Sequence, residues 1–477
     1  MRITGNFPSS AFQGIGIPRL YKEQQMKKRL TAFLAMTLAF MSVLGASDAR
    51  IIDAKIVTEV LEWGETVTGV RLEYSEEIKG TSIQRNGDTL QPLTYLVPGE
   101  RTIDAVYVNS SGKKGEASPY GRYVFLDFYI GTDWTHYLDY PAYTGKDRPE
   151  SAKISIYQVE PVETRDGETV APSGRVVTSG EIRIGIDEFT SFLYTGDLGV
   201  EGVPFYFHLY IPEGYEEKKE GLEDLPLILH FPSADATYTD YSGLYYGALV
   251  SHNDAAVWVT PEAQEEHPAF VLSYGTPERP ENQVISQIFI EEVRYLLGKY
   301  NIDASRIYAI SLAGGSKSLI PVIFSEPGLI AGAIIICYDF QEDYPALEAK
   351  EKFRKLFESI PVWLIVSEDD FTGKVAGDPR TKAERMLSTM EELNEEGVTV
   401  SAGSAWNGFI RGKKAEKQAE ALIAKAEALG TDDLFSVFLA NTIHVNGHAA
   451  WTAVYSNDAI RGWLFEQVND EAYTPGN

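Results

Sequence analysis

Cysteine is almost absent from this sequence, which contains one cysteine among 477 residues. No intrachain disulfide can form, and a metal site would have to be built from carboxylates or histidines. The one cysteine, Cys337, ends the apolar run 333–337, and this context favours a buried structural thiol.

Positive charge is also scarce. Lysine and arginine together number 42 against 69 aspartates and glutamates, so the formal net charge is −27. Such a surface repels polyanions, and a nucleic-acid partner is therefore excluded. The segment Gly314–Lys317 lacks the upstream glycine of a phosphate-binding loop, and His444 and His448 have no glutamate between them. We expect neither a cofactor nor a metal ion.

Long hydrophobic runs are rare, and the most apolar one, Leu30–Leu44, is shorter than the roughly 20 residues that a bilayer span requires. Lys27, Lys28 and Arg29 precede it and small residues follow it, which is typical of a secretory signal. We therefore predict a signal peptide over 26–49, with 1–25 as an extension outside the fold. The mature chain is expected to lack a transmembrane anchor and to be secreted, periplasmic or displayed at the cell surface.

In the rest of the chain, the pattern of apolar and polar residues changes once. Over 51–192, short alternating runs separated by turn pairs such as Asn86-Gly87 and Asp166-Gly167 predict an all-β sandwich. Over 193–470, continuous apolar runs alternate with helical periodicity, which predicts an α/β domain with a mostly parallel sheet. The predicted strands of this domain are Phe205–Ile211, Leu225–Phe231, Ala256–Thr260, Arg306–Ile310, Ala331–Cys337, Val362–Val366 and Phe435–Ala440.

A strand, a turn of small residues and a helix follow one another between Asn301 and Ser316. This is the context of a nucleophile elbow, where crowding at the turn demands small residues two positions before and two after the nucleophile. Ser311, Ala313 and Gly315 satisfy that spacing with Ala313 at the centre. A shifted register, with Ser311 as the nucleophile between Ala309 and Ala313, stays open, although it leaves Gly314 and Gly315 late in the turn.

The sequence resembles the secreted α/β-hydrolase carboxylesterases that carry an N-terminal immunoglobulin-like domain, related to the polyhydroxybutyrate-depolymerase-like esterases. Motifs that carry the resemblance are Ile56–Gly64, Leu209–Tyr215, Leu225–Leu229 and, as the most specific, Tyr300–Tyr308. The resemblance implies an immunoglobulin-like sandwich followed by an α/β-hydrolase domain that cleaves small or polymeric esters. It also implies a serine nucleophile at the position of Ala313, and this chain lacks that hydroxyl.

The resemblance supplies the other two members of a triad. Asp370, favoured over its neighbour Asp369, follows a predicted strand and would orient an imidazole. His448, which follows Gly447, would be the general base, with His444 as the weaker competitor. The chain order of nucleophile position, acid and histidine is the order of the α/β-hydrolase fold.

A second departure lies in the loop after Phe231. Family members have His-Gly and small residues there, whereas this chain has Pro232-Ser233-Ala234-Asp235. Backbone N–H groups near Ser233 and at Gly314 would form the oxyanion hole, but a proline donates nothing. We therefore predict a serine-type carboxylesterase that is catalytically impaired by Ala313. The alternative is a non-catalytic surface or periplasmic protein that holds an ester, lipid or glycan in a hydrolase cleft.

Overall fold

The structure, a computed structural model, describes residues 48–83, 94–97, 102–115, 117–130, 153–198, 203–233, 245–277, 280–443, 447–470 and 473–474. Several predicted features lie outside these ranges: the extension, the signal peptide before Asp48, the turn Asn86-Gly87, and residues Ala234, Asp235 and His444. Among the helices within these ranges, none has the length and apolarity needed to cross a bilayer.

The first part of the chain is built from strands. They are β1 (Ile51–Leu61), β2 (Gly64–Lys79), β3 (Tyr95–Leu96), β4 (Ile103–Asn109), β5 (Tyr120–Phe128), β6 (Ser155–Gln158), β7 (Val162–Glu163), β8 (Thr169–Val170), β9 (Arg175–Val177) and β10 (Gly180–Ile184). A five-stranded sheet has the order β10-β1-β2-β5-β4, and a three-stranded sheet has the order β3-β6-β9. The alternation of buried and more exposed residues along β1 and β4 is typical of strands with one face on a core.

Contacts divide the chain into two compact units. One contains the described residues of Met1–Ala54, Leu72–Leu126 and Ser155–Val177. The other contains those of Lys55–Arg71, Asp127–Ile154 and Thr178–Asn477. Within the second unit, β1 pairs in parallel with β10 from Lys55 opposite Gly180 to Glu59 opposite Ile184.

A nine-stranded mixed sheet forms the core of the second unit. Its strands are β11 (Phe189–Leu193), β12 (Tyr206–Tyr210), β13 (Leu225–Phe231), β14 (Phe270–Gly275), β15 (Ile302–Leu312), β16 (Gly332–Ile336), β17 (Val362–Ser367), β18 (Ser401–Trp406) and β19 (Leu434–Phe438). They lie in the order β11-β12-β14-β13-β15-β16-β17-β19-β18. The pairings β11-β12 and β12-β14 are antiparallel, and the remaining pairings are parallel. An all-β region followed by a mostly parallel sheet is the predicted fold class.

Helices cover both faces of this sheet. The α-helices are α1 (Gly247–Val250), α2 (Pro261–Glu266), α3 (Asn282–Lys299), α4 (Ser316–Ser325), α5 (Ala346–Phe357), α6 (Lys382–Glu395), α7 (Lys413–Leu429), α8 (Trp451–Val454) and α9 (Asp458–Phe465). Along β15, Ile307 and Ala309 join one apolar cluster, whereas Tyr308 and Ile310 join the other. Successive side chains of a strand point to opposite faces, so a strand buried on both faces reads as a continuous apolar run.

Most predicted strands of this domain are found within a few residues of their expected bounds, but one is wrong. The segment Ala256–Thr260 contains a short 3₁₀ helix, Ala256–Trp258, and Thr260 then caps α2 by accepting a hydrogen bond from the N–H of Ala263. The next strand of the sheet is instead Phe270–Gly275, and it was not predicted from the sequence. A short apolar run has no periodicity that separates strand from helix, so packing decides.

Asp433 lies just before β19 and makes a hydrogen bond to the first residue of β17. Its Oδ1 accepts a hydrogen bond from the N–H of Val362 at 3.0 Å. Burial raises the pKa of Asp433 to about 8, because little around the carboxyl offsets its loss of hydration. The carboxyl is therefore protonated in the folded protein at neutral pH, and its stabilising effect is complete only below the unfolded pKa near 4.

We predict that Asp433→Asn, which keeps the acceptor oxygen but cannot ionise, stabilises the protein increasingly as the pH rises from 4 to 8. The unfolded parent releases a proton over this range while the folded parent holds it, so the parent alone loses stability, by about 1.4 kcal/mol for each unit between the two pKa values. Urea unfolding of both proteins at several pH values measures the difference. A difference that stays flat with pH would contradict the protonated carboxyl.

Candidate active site

Four neighbouring strands end at one edge of the nine-stranded sheet. Leu312 of β15 lies opposite Ile336 of β16, and Ile336 lies opposite Ile365 of β17. Ser367 of β17 in turn lies opposite Phe438 of β19. Parallel strands about 4.8 Å apart bring the residues after their carboxyl ends side by side. The segments that begin at Ala313, Cys337, Glu368 and Leu439 therefore share this edge, where open α/β sheets bind ligands.

Ala313 occupies the turn between β15 and α4 with a φ of +46°. Residues with a Cβ rarely adopt this left-handed region, and a strained turn there is what holds a nucleophile out of the sheet in this class of fold. Gly315, two residues later, lies against the end of β13. A Cβ at position 315 would overlap the carbonyl oxygens of Phe231 and Pro232 and would lie 2.7 Å from the carbonyl carbon of Phe231. The structure thus places Ala313 at the apex and requires glycine at 315.

Ser311, the alternative nucleophile, lies inside β15 opposite Phe231 and Ile335. Its side chain is fully buried, and its hydroxyl is 2.9 Å from the hydroxyl of Ser316. The interior of a central strand leaves no path for a substrate to reach this oxygen.

Asp370 and His448 meet at the same edge. His448 Nδ1 donates to Asp370 Oδ2 at 3.0 Å and also lies 2.9 Å from the hydroxyl of Thr372. That hydroxyl donates to Asp370 Oδ1 at 2.6 Å, so it accepts from the imidazole. With its proton on Nδ1, the ring carries its basic lone pair on Nε2. This is the arrangement in which a carboxylate orients a general base.

The carboxylate of Asp370 is fully buried and has a second partner, the ammonium group of Lys382. Lys382, itself 1% exposed, places its ammonium 3.2 Å from Asp370 Oδ2 and 2.8 Å from Glu342 Oε1. Burial alone would raise the pKa of Asp370, but the hydrogen bond from His448 and the charge of Lys382 hold it well below the usual carboxyl range. Asp370 therefore stays ionised, and its charge is shared between the imidazole and the ammonium.

The two loops that carry this pair touch through a glycine. A Cβ at Gly447 would lie 2.6 Å from the carbonyl carbon of Asp369, so only glycine allows the histidine loop to approach the acid loop this closely. Asp369 itself is used locally, accepting from the Ser367 hydroxyl at 2.6 Å and from the N–H of Asn441 at 2.9 Å. The glycine before His448 thus has a steric role, and Asp370 is the acid that contacts the ring.

Cys337 lies beneath His448, donating its thiol to the histidine carbonyl oxygen at 3.3 Å. Burial, reinforced by the charge of Asp370, raises the pKa of this thiol well above its ordinary value, so it is not a thiolate nucleophile. One ligand atom each of Cys337, Asp370 and His448 lies within 4.8 Å of the others, close enough to hold a metal ion. The buried ammonium of Lys382 beside Asp370 opposes a divalent cation there, so we assign no metal to the cluster.

The end of β13 leads into the expected oxyanion loop, in which Ser233 is buried. His230, three residues earlier, lies 2.8 Å from Ser273 Oγ through Nδ1 and 2.9 Å from Asp254 Oδ2 through Nε2. All three side chains are completely buried. This second Ser–His–Asp set is closed to substrate and instead fixes the strand from which the loop emerges.

Sequence reasoning missed Thr372 and Lys382. Lys382 begins α6 directly after Thr381, which caps that helix, and nothing in this pattern signals an ion pair with Asp370. Only the packing of α6 under the carboxyl edge brings the lysine to the acid. The aspartate two residues before Thr372 was the one available signal, since side chains at this spacing form local turns.

Comparison with known proteins supports the fold. Residues 53–171 match the family described as the esterase Ig-like N-terminal domain. A thermostable esterase of known structure superposes with a TM-score of 0.61 at 22% identity, over 88% of this chain and 100% of that chain. The chain therefore has an esterase-type Ig-like N-terminal domain followed by an α/β-hydrolase fold, as the sequence predicted.

Two further structures match at lower similarity. They are a feruloyl esterase module from Clostridium thermocellum, with a TM-score of 0.32, 12% identity and coverage of 61% of this chain and 91% of that one, and an S-formylglutathione hydrolase from Staphylococcus aureus, with a TM-score of 0.35, 9% identity and coverage of 58% and 98%. These overlaps are too low to bear on function. A search of curated proteins gives no match.

We predict that Gly315→Ala destabilises the protein by about 3 kcal/mol, because the added methyl group meets backbone carbonyls that cannot rotate away. Gly298→Ala is the matched control, since a Cβ there meets no atom within 4 Å and the residue lies in α3. The control should be neutral or stabilising by up to about 1 kcal/mol. Urea unfolding measures both. Equal stability of the two variants would refute the tight approach of β13 to the elbow.

We also predict that Lys382→Met destabilises the protein by roughly 3 to 5 kcal/mol, because it leaves the buried carboxylate of Asp370 and the partly buried one of Glu342 without their cation. Adding Glu342→Gln should restore part of this loss. Lys79→Met, which breaks an ion pair of 3.1 Å with side chains 39% and 50% exposed, should change stability by at most about 1 kcal/mol. Chemical denaturation at pH 7 compares the three, and a loss from Lys382→Met no larger than that from Lys79→Met would argue against the buried pair.

Proposed function

We propose that this chain has the framework of a serine-type carboxylic-ester hydrolase and is catalytically impaired because Ala313 stands at the nucleophile position. The observation that carries the proposal is the strained turn at residue 313 on the same sheet edge as the Asp370–His448 pair. A strained backbone lowers stability, and such residues cluster at functional sites; this turn is the one that presents a nucleophile in an α/β-hydrolase fold.

In a chain with serine at position 313, the hydroxyl oxygen would attack the ester carbonyl carbon while His448 Nε2 takes its proton. The N–H of Gly314 and one from the Ser233 loop would stabilise the oxyanion. The tetrahedral intermediate would then expel the alcohol, which takes the proton from His448, and water would hydrolyse the acyl-enzyme in the same way. Asp370 would hold the ring and stabilise the imidazolium, although Lys382 shares its charge and weakens that stabilisation.

With alanine at 313 no acyl-enzyme forms, and only binding and the oxyanion donors are left to accelerate hydrolysis. In subtilisin, loss of the serine lowers turnover by about a millionfold. We therefore expect little or no ester turnover by the chain as it stands. The second candidate, a binding protein that retains the hydrolase cleft for an ester, lipid or glycan, is favoured by the same alanine.

The test is to restore the hydroxyl. Ala313→Ser should raise hydrolysis of 4-nitrophenyl acetate by roughly a thousandfold or more over the unaltered chain. Ala313→Gly, which changes the same position without adding a nucleophile, should not. His448→Ala in the Ala313→Ser background should remove the gain.

If a folded Ala313→Ser variant shows no ester hydrolysis, the result would favour the binding protein over the disabled esterase. Strong activity in the unaltered chain that disappears on Ser311→Ala would show that residue 311 is the nucleophile, and the proposal would be wrong. Near-ultraviolet circular dichroism of each variant establishes that the fold is retained.

A further inference from the structure

A cavity of about 640 Å³ opens next to the elbow. Lys317, in the first turn of α4, and Tyr338, directly after Cys337, both line it. These two residues follow the carboxyl ends of β15 and β16, so the cavity lies at the sheet edge that carries Ala313. Its volume is within the range of about 300 to 1,000 Å³ that small-molecule sites occupy.

One wall of the cavity is apolar. Ile320, Tyr338 and Phe340 line it and are only 6%, 4% and 1% exposed. The rings of Tyr338 and Phe340 lie 5.3 Å apart at 72° to each other, which fixes both in place. The partly buried rings of Phe324 and Tyr344 also line the cavity, and they offer apolar surface that a ring compound can cover.

The cavity lining also carries an excess of positive charge. Lys317 is paired with Asp343 at 2.6 Å, and both residues line the cavity. The ammonium of Lys352 lies 4.0 Å from the ring centroid of Tyr344 and 3.8 Å from Glu348, beyond hydrogen-bonding distance. Two lysines and one carboxylate therefore line the cavity, in a chain whose net charge is −27.

Hydrogen-bond donors also line the cavity. Within the part of the chain that the structure describes, neither the side-chain amide of Gln283 nor the hydroxyl of Tyr344 has a hydrogen-bond partner. Together with the ammonium of Lys352, these groups present donors that a ligand can satisfy. An ammonium with a carboxylate makes a charge-assisted hydrogen bond, which is about twice as strong as a neutral one.

We propose that this cavity binds a ring compound that carries a carboxylate, with the ring against the partly buried side chains of Phe324 and Tyr344 and the carboxylate at Lys352. The proposal rests on the proposed function, because it names the class of compound that is bound at the same sheet edge, but binding does not require ester hydrolysis. Aromatic acids and acidic sugars both combine a ring with a carboxylate, and experiment distinguishes the two classes.

The first experiment titrates the unaltered chain by calorimetry with 4-hydroxybenzoate and with glucuronate, each against its uncharged analogue, 4-hydroxybenzamide or glucose. We expect at least one carboxylate to bind about tenfold more tightly than its neutral partner, and the pair that shows the difference identifies the source. Equal binding of charged and neutral compounds, or no binding of either acid at millimolar concentration, would overturn the assignment.

The second experiment changes the charges. Lys352→Met should weaken binding of the acid about tenfold or more, whereas Lys414→Met, the same change on an exposed residue of α7, should not. Asp343→Asn should strengthen binding several-fold, because it removes the carboxylate that faces the cavity and releases Lys317. A misfolded variant cannot mimic a gain in affinity, and weaker or unchanged binding by Asp343→Asn would refute the proposal.

These outcomes are independent of those of the proposed function. Binding of the acid with no ester hydrolysis by Ala313→Ser would keep the cavity assignment and reject the esterase framework. Hydrolysis by Ala313→Ser with no binding of the acids would do the reverse.

Discussion

The close approach of two backbone segments at the carboxyl edge of the sheet is the constraint on which the rest of the site depends. The end of β13 lies so near to the start of α4 that residue 315 has no room for a Cβ. The chain can make that approach only if the preceding turn bends sharply, and Ala313 takes the resulting φ of +46°. A left-handed alanine is unfavourable by itself, so the surrounding packing must hold it. The same packing sets where an oxyanion loop and a nucleophile position would face each other.

Charge burial is the second constraint. Asp370, Lys382 and Glu342 form a buried or nearly buried set, and removing Lys382 leaves two carboxylates without their cation. This arrangement keeps Asp370 ionised and keeps His448 oriented through Nδ1. It also means that the carboxylate does not act on the imidazole alone. The acid and base positions of this fold can therefore persist for reasons of stability even where the covalent step is lost.

A site that binds without reacting is compatible with both constraints. The cavity beside the elbow does not include residue 313, and its aromatic wall and lysines belong to α4, α5 and the segment after β16. The identity of residue 313 therefore does not alter that wall. Because catalysis requires interactions that strengthen in the transition state, whereas binding does not, the two properties can be separated in one chain.

The sequence by itself determined the fold class, since continuous apolar runs require strands buried on both faces and alternating runs require a half-buried sheet. Small residues at fixed spacing are a local steric requirement, and they pointed to Ala313, whereas Asp370 and His448 were implied by a family resemblance. The strand Phe270–Gly275, the lysine under Asp370 and the contact of His448 with Asp370 were decided by tertiary structure. Each of these depends on which segments lie side by side at the sheet edge, and no local pattern records that distance.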